Sequence, residues 1–463
     1  MTQTLQAAFE KTKSELTVTT EKLEEITNHF VEELEKGISP AGGNIPMNPT
    51  WVMDYPSGSE TGEYLAIDLG GTNLRVIRVT LQGDSKFKSV NEKYPIPVPM
   101  RTGNKDDLFD FIAKSLDDFI KHQYGEDYKG EKLPLGFTFS YPAHQNAINH
   151  GVLQTWTKGF DIPGVEGHDV VPMLQASLDK LNTPVEVVAL INDTTGTLVA
   201  SKYCDTETIM GLIFGTGCNG AYYDFAKNIP KLEGKLASDI NDKTPMAINC
   251  EYGAFDNDWK VLPRTKYDIQ IDQESPRPGQ QFYEKMIAGY YLGEVLRLIL
   301  LDYYSQGLVF INQDIKSLQV PFAMDTSFPS MIEEHGPEYA GRLFKDTFNI
   351  TLTKEEEKVI SDLCQIIGTR AARLSVCSIA GICRKMNYKS GHCAADGSVF
   401  NRYPYFKERA AAALNELFKW NTDPNDYPIK LTHAEDGSGV GAAVIACLTE
   451  KRLLAGKSVG AKL

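Results

Sequence analysis

The sequence predicts an α/β protein whose two lobes face a cleft. Three observations predict it. First, one plan of strand, threonine-bearing glycine turn and second strand occurs twice, in EYLAIDLGGTNLRVIRVTL (63–81) and TIMGLIFGTGCNGAYYD (208–224), about 145 residues apart. The echo is structural, since the residues themselves do not repeat. Second, the apolar run Val187-Val188-Ala189-Leu190-Ile191 reads as a strand buried on both faces, and it ends on Asn192-Asp193. Third, the stretches 281–300 and 358–382 read as long helices beside these strands in the chain.

The remaining elements follow in chain order. LEEITNHFVEELEKGI is an amphipathic lead-in helix, followed by a Pro/Gly-rich loop up to residue 58. Residues 105–123 form another amphipathic helix. LPLGFTFSYP (133–142) is a strand stopped by Pro142. A helix runs from the end of the 187–191 strand through Lys202. AEDGSGVGAAVIACL (434–448) is a glycine turn opening a helix.

Composition limits what the chain can do. Its 463 residues suffice for about two or three domains, and 42% hydrophobic with 23% charged residues is ordinary for a globular protein. A net charge of −14, from 47 basic and 61 acidic residues, argues against a general nucleic-acid or acidic-membrane binder. It still permits a local basic pocket for a polyanion. The start, MTQTLQAAFEKTKSEL, lacks a basic-then-apolar leader pattern, and no run of about 18 uncharged apolar residues suggests a membrane span. Eight scattered cysteines form no CxxC, and His392-Cys393 near Cys383 has the wrong spacing for zinc. Reduced, buried cysteines and a cytoplasmic location are expected.

The glycine turns carry the chemistry. IDLGGTN lacks both the GxGxxG dinucleotide fingerprint and a Walker A lysine. Its paired glycines nonetheless let backbone N–H groups approach phosphate oxygens. Thr72 and Asn73 add donors and Arg75 a fixed positive charge. Asp68, at the strand end, is placed to hold Mg²⁺ through water, because that ion keeps several waters. FGTGCNG (214–220) repeats the device with Thr216, and DGSG (436–439) supplies a third turn at a helix start. Each turn alone is also explained as a plain hairpin or cap. Together they point to joint phosphate binding. Asp193 has two readings as well: a cap for the helix that follows, or a base presented where open α/β sheets bind ligands.

LAIDLGGTNLRV, LGFTFSYPAHQNAINHGVLQTWTKGFDIPG, LINDTTGTLVA, GTGCNGAY and AEDGSGVGAAVIA resemble the hexokinase family over nearly the whole chain. GGNIPM, ADGSVFNRYP and GKSVG are similar to the fungal members. The resemblance implies a two-lobed, actin-like ATPase (ribonuclease H-like) fold with mixed sheets flanked by helices. It places a small lobe at 59–192 plus 440–463 and a large lobe at 1–58 plus 193–439. It implies ATP and Mg²⁺ and the phosphorylation of glucose, with fructose and mannose, at the 6-hydroxyl, the first step of glycolysis. Asp193 is then the general base, with Lys158 stabilising the moving phosphoryl group. Ser140, Thr157, Lys158, Asn192, Asn219, Glu251 and Glu284 hold the sugar. Asp68, Leu69, Gly70, Gly71, Thr72, Asn73, Arg75, Lys93, Thr216 and Gly217 face the phosphates. Gly289, Thr326, Ser327, Gly397, Ser398, Asn401, Gly437, Ser438 and Gly439 line the nucleotide.

The residue types suit these roles. A sugar is a ring of hydroxyls, and carboxylates and amides such as Asn192, Asn219, Glu251 and Glu284 accept and donate in fixed directions. Lobe closure on the sugar would exclude water, the competing nucleophile. A glucose-selective glucokinase would use the same contacts, and a hexokinase-like glucose sensor is a reading from another class. The expected partners are a hexose and ATP, with no nucleic acid and no membrane span; a homodimer is left open.

Overall fold

Among the described residues, the apolar runs assemble into two large sheets joined by helices; the computed structural model describes residues 4–125, 128, 130–156 and 159–462. Two helices lead, α1 (Leu5–Leu16) and α2 (Thr20–Ile38). Thr4 and Thr19 cap them, each hydroxyl accepting the N–H three residues on. α1 is additional to the expected lead-in helix. Its polar surface, rich in Lys and Glu, hides a buried stripe of Leu5, Ala8, Phe9, Thr12 and Leu16. A short strand, β1 (Asn48–Pro49), follows.

The next strands are β2 (Thr61–Leu69), β3 (Asn73–Gly83) and β4 (Lys86–Pro95). β2 and β3 are the expected strand–turn–strand. β4 is new, and its mostly exposed side chains explain why no apolar alternation announces it. It is an edge strand carrying three lysines, which discourage pairing with another chain. After α3 (Lys105–Tyr124) come β5 (Leu133–Phe139), the small pair β6 (Ala143–His144) and β7 (Val152–Leu153), α4 (Val170–Lys180) and β8 (Val185–Ile191). The five-stranded sheet has the order β4-β3-β2-β5-β8, with β2, β5 and β8 parallel.

That sheet is covered on both sides. Leu65, Ile67, Leu69, Leu74, Val76 and Phe137 join one core with α3 and α4. The alternate residues Ala66, Ile77, Val79 and Ile191 join the core that continues through the rest of the protein. Along this second face runs one aligned row: Lys93 opposite Arg75, Arg75 opposite Asp68, Asp68 beside Thr138, and Thr138 beside Ile191. Strand pairing thus lines up residues that the sequence scatters over 124 positions by number.

The chain then passes through α5 (Asp193–Cys204) into β9 (Thr208–Phe214), β10 (Cys218–Phe225) and β11 (Pro245–Asn249). Helices α6 (Lys266–Glu274), α7 (Phe282–Ile287), α8 (Gly289–Ser305), α9 (Ser327–His335), α10 (Pro337–Phe348) and α11 (Lys354–Met386) follow. Then come β12 (Gly391–Asp396), α12 (Ser398–Arg402), α13 (Phe406–Phe418), β13 (Ile429–His433), a π-helical turn at 437–441 and α14 (Ala442–Leu454). The six-stranded sheet has the order β1-β11-β10-β9-β12-β13.

One expected helix is corrected. The periodic stretch 281–300 is two helices, α7 and α8, broken at Ala288, whose ψ is 151°. The extended backbone there turns the Gly289 N–H onto the Gly215 carbonyl at 2.8 Å. α11 is the one described helix long and apolar enough to cross a membrane, but 83% of its apolar window is buried inside the protein.

Candidate active site

β8 delivers Asn192 and Asp193 at its end, and the capping falls to Asn192 rather than Asp193. Asn192 is the cap of α5, its Oδ1 accepting the Thr194 N–H at 2.7 Å. Asp193 is the first helical residue, half-buried, with Oδ1 accepting the same N–H at 2.8 Å. α5 is buried from Thr194 through Ser201 and packs against strands of both sheets, so the Asp193 carboxylate starts a helix that cannot shift independently of either.

The turn at 436–441 lies directly on this helix. A Cβ at Gly196 would stand 2.3 Å from the Gly437 carbonyl oxygen, and one at Gly441 would stand 2.1 Å from the Gly196 oxygen. Only the absence of side chains lets the two backbones touch. The Thr197 hydroxyl donates to the Asp193 carbonyl at 2.9 Å, and Thr197 in turn abuts Gly437. The turn is also fixed from the five-stranded sheet. Arg75 forms an ion pair with Asp436, and the Thr138 hydroxyl donates to the Ser438 carbonyl at 2.9 Å. Asp436 accepts the Gly439 N–H at 3.0 Å. The IDLGGTN hairpin, the DGSG turn and the helix of Asp193 therefore form one structure, with Asp68 half-buried in the row beside Arg75 and Lys93 exposed at its edge.

The third glycine turn gathers the other nucleotide candidates. Gly289 and Tyr290 donate backbone N–H groups to Gly215 and Thr216 at 2.8 and 3.2 Å. The Thr326 hydroxyl bonds the Gly289 carbonyl. Gly397, at φ 113°, would drive a Cβ to 2.4 Å from the Phe214 oxygen. Thr216, Gly217, Gly289, Thr326 and Gly397 are thus one cluster. Ser327 follows Thr326 at the start of α9, and Ser398 and Asn401 lie on α12, where the Asn401 amide donates to Asp396 at 2.8 Å.

The sugar candidates converge from four elements. The Asn219 amide donates to Asn249 at 2.8 Å and to Glu251 at 2.9 Å, while Asn249 donates to the same Glu251 oxygen at 2.7 Å. The Asn219 oxygen accepts the Glu251 N–H at 2.9 Å. Glu251 sits in left-handed backbone, φ 59°, a costly conformation for a non-glycine residue that these bonds hold in place. Glu284 accepts the Cys218 N–H at 2.9 Å, and its carboxylate fills the space a Cβ on Gly217 would need, 2.6 Å away. Glu251, Asn249, Asn192 and Tyr141 line one small cavity. Ser140 lies between two of its lining residues, Phe139 and Tyr141. Thr157 and Lys158 lie outside the described residues.

Burial first, then the charges of Glu284 and Glu251, push the Cys218 thiol well up, so it stays protonated and is no nucleophile. Burial and then the Asp68 charge push the Tyr141 hydroxyl up. Asp68 is a single carboxylate at a strand end, which suits a magnesium ion held through water rather than a full protein cage.

Sequence reasoning missed Asn249 and Asp436. Asn249 had a signal: Ile248-Asn249 ends an apolar run as Ile191-Asn192 does. Asp436 opens the DGSG turn, but its pairing with Arg75 had no signal, because the two lie 361 residues apart.

The chain matches known proteins along its length. One hexokinase family model covers residues 8–203 and a second covers 209–448. Hexokinase-2 of Saccharomyces cerevisiae is 62% identical over 449 residues, 96% of this chain and 92% of that protein. The hexokinase of Kluyveromyces lactis is 60% identical over 450 residues, 96% of this chain and 93% of that protein. Among solved structures, the hexokinase from Schistosoma mansoni complexed with glucose superposes with a TM-score of 0.85 at 34% identity, covering 96% of this chain and 99% of that one.

Proposed function

This chain belongs to the hexokinase family and is a hexokinase, and from that premise we propose that it moves the γ-phosphoryl group of ATP to the 6-hydroxyl of glucose, fructose and mannose. The observation that carries the proposal is the shared position of Asp193. Its helix begins beside Asn192 and Glu251 in the sugar cavity and rests, one turn later, on the DGSG turn.

Asp193 is the base for the 6-hydroxyl. Phosphoryl transfer is largely dissociative, so positioning of the attacking oxygen matters more than early deprotonation. A positioned base still contributes about 10²–10⁴-fold. Asn192, Asn219, Glu251 and Glu284, with Asn249, Ser140 and Thr157, hold the ring hydroxyls. Lys158 and Arg75 offset phosphate charge; Asp68 would hold Mg²⁺ through water, and that ion would supply further charge neutralisation at the phosphates. The 214–217 turn, Gly289, Thr326, Ser327 and the 397–401 stretch carry the nucleotide. The small lobe takes 59–192 with 440–463 and the large lobe 1–58 with 193–439, and sugar binding brings them together before transfer.

A coupled assay with ATP, Mg²⁺ and a panel of hexoses tests the substrate range. Comparable rates with glucose, fructose and mannose are expected, and activity confined to glucose would make the enzyme a glucokinase. Asp193→Ala should cut turnover by at least about 10²-fold while glucose still binds. Full turnover in that variant rules out the base. Equal ATP hydrolysis with and without sugar rules out closure as the gate.

A further inference from the structure

His29 lies on α2, with 11% of its side chain exposed. Its two ring nitrogens have opposite surroundings. Nδ1 meets Glu32 Oε2 at 2.9 Å. A carboxylate only accepts, so Nδ1 carries the hydrogen, and the neutral ring keeps its lone pair on Nε2. Nε2 is shielded from solvent. Among the described residues it is the one buried imidazole nitrogen without a hydrogen-bond partner.

Carboxylates gather at the ring. Glu33, one turn further along α2, brings Oε1 to 4.0 Å from Nε2, and its side chain is 1% exposed. In the loop between β11 and α6, Asp256 and Asp258 each place a carboxylate oxygen within 4.8 Å of a His29 ring nitrogen and of each other. Each of these acids is held in position by other groups. Asp256, fully buried, accepts the N–H groups of Lys260 and Leu262 at 2.6 and 2.8 Å, with Arg264 alongside at 3.5 Å. Asp258 accepts the Asn44 amide at 2.9 Å and the Lys260 ammonium. Glu33 accepts the Lys36 ammonium at 2.7 Å and the Asn44 N–H at 3.3 Å. Both lysine side chains are exposed enough for their heads to turn into water.

One imidazole nitrogen with carboxylate oxygens is the donor set of a first-row divalent ion such as zinc, whereas magnesium and calcium prefer oxygen alone. Zinc bonds of about 2.0–2.2 Å set tetrahedral ligand atoms roughly 3.3–3.6 Å apart. Drawing Glu33 in from 4.0 Å is a shift of about half an ångström. The Glu32 contact completes the pattern. A histidine that ligates zinc ordinarily gives its other N–H to a carboxylate, which fixes the tautomer and raises the basicity of the ligating nitrogen.

We propose that His29, Asp256 and Asp258, together with Glu33, form a structural site for a zinc-class divalent cation that fastens α2 to the loop between β11 and α6. The joint lies beside a packed aromatic group. Phe30, the next residue on α2, sets its ring 4.5 to 5.8 Å from those of Tyr252, Phe255 and Tyr283. The site is distinct from the Mg²⁺ position at Asp68, which is on another strand and offers no imidazole.

The full-length protein, treated with chelator, would be titrated with zinc by calorimetry beside His29→Gln, Glu32→Gln and His392→Gln. One site of about micromolar affinity or tighter is expected. Glu32→Gln changes a side chain that is 71% exposed, so packing stays intact, yet it should weaken zinc binding by about 10–100-fold through the lost partner of Nδ1. His29→Gln should weaken it by about 100-fold or more. Zinc should raise the melting temperature of the unaltered protein and leave that of His29→Gln unchanged. His392→Gln probes the other cluster of this kind among the described residues, Asp205, Glu207 and His392, where both ring nitrogens already meet carboxylates. It should leave the affinity within about twofold. Mg²⁺ in about thousandfold excess should not displace the zinc. The proposal is overturned if zinc fails to bind below about 1 mM, which would leave Nε2 to a proton shared with Glu33. It is also overturned if neither His29→Gln nor Glu32→Gln weakens binding beyond about twofold, if only His392→Gln abolishes it, or if Mg²⁺ displaces the zinc.

Discussion

Gly196→Ala places one methyl group between the helix of Asp193 and the DGSG turn. Inside an ordinary helix the change is favourable, since alanine exceeds glycine in helix propensity by about 1 kcal/mol. Here the new Cβ would stand 2.3 Å from the Gly437 oxygen and 2.9 Å from its carbon. Both are main-chain atoms and cannot rotate aside. Reaching a tolerable separation of 3.0 Å requires the turn to retreat by about 0.7 Å. The reverse contact leaves no slack, because a Cβ at Gly441 would already be 2.1 Å from the Gly196 oxygen. Overpacking costs about 1–3 kcal/mol, which offsets or exceeds the propensity gain. Net of that gain, stability should fall by up to about 2 kcal/mol in urea denaturation followed by circular dichroism. Turnover should fall further, since a misplacement of about 1 Å can cost about 10²-fold. Glucose binding should survive, because Asn219, Asn249, Glu251 and Glu284 form their network away from this contact. The refuting result is a Gly196→Ala protein as stable as the original, with kcat within about twofold. It would mean that the two backbones are not pressed together when the enzyme works.

Asn249→Ala removes a donor from Glu251 and an acceptor from Asn219; with a hydrogen bond to a charged group worth about 1.5–3 kcal/mol, glucose affinity by calorimetry should weaken by about 10–100-fold. Arg370→Met strands the Asp268 carboxylate, which is 4% exposed, and should cost about 3–5 kcal/mol in urea denaturation; a loss below about 1 kcal/mol would show that the pair is solvated. The Arg373 guanidinium, bonded to Glu416, holds that carboxyl below its ordinary value. A depressed acid contributes stability above the unfolded pKa, about 4.3 for glutamate, and loses it as the pH falls through the folded value. The unaltered protein should thus melt above Glu416→Gln at pH 6, with the gap closing below about pH 4. A gap that widens with acid has the wrong sign for this contact.

The local chemistry was legible in the sequence wherever a short stretch sufficed. β2 and β3 with their turn, β5, β8, the carboxylate at its end, and the Gly/Ser turn before α14 all rest on periodicity and on breaker residues within about ten positions. Legibility failed where the signal was not local. β4 is a largely exposed edge, so it shows no alternation. The 281–300 stretch keeps one helical period although Ala288 breaks it, because the break serves a hydrogen bond to Gly215 more than seventy positions earlier. Asn249 carried a weak signal and became meaningful only beside Asn219 and Glu251.

The order of residues alone determined that this protein has apolar strands ending in polar corners, three glycine turns and a carboxylate at a strand tip, since steric and hydrophobic preferences act over neighbouring residues. Tertiary structure decided which corners meet. Pairing of β4, β3, β2, β5 and β8 set Lys93, Arg75, Asp68 and Thr138 in one row. Backbone contact between Gly196 and Gly441 seated the last turn on the helix of Asp193. The Gly196–Gly441 contact joins positions more than two hundred residues apart, and only close packing of the folded chain, which no local preference encodes, selects it.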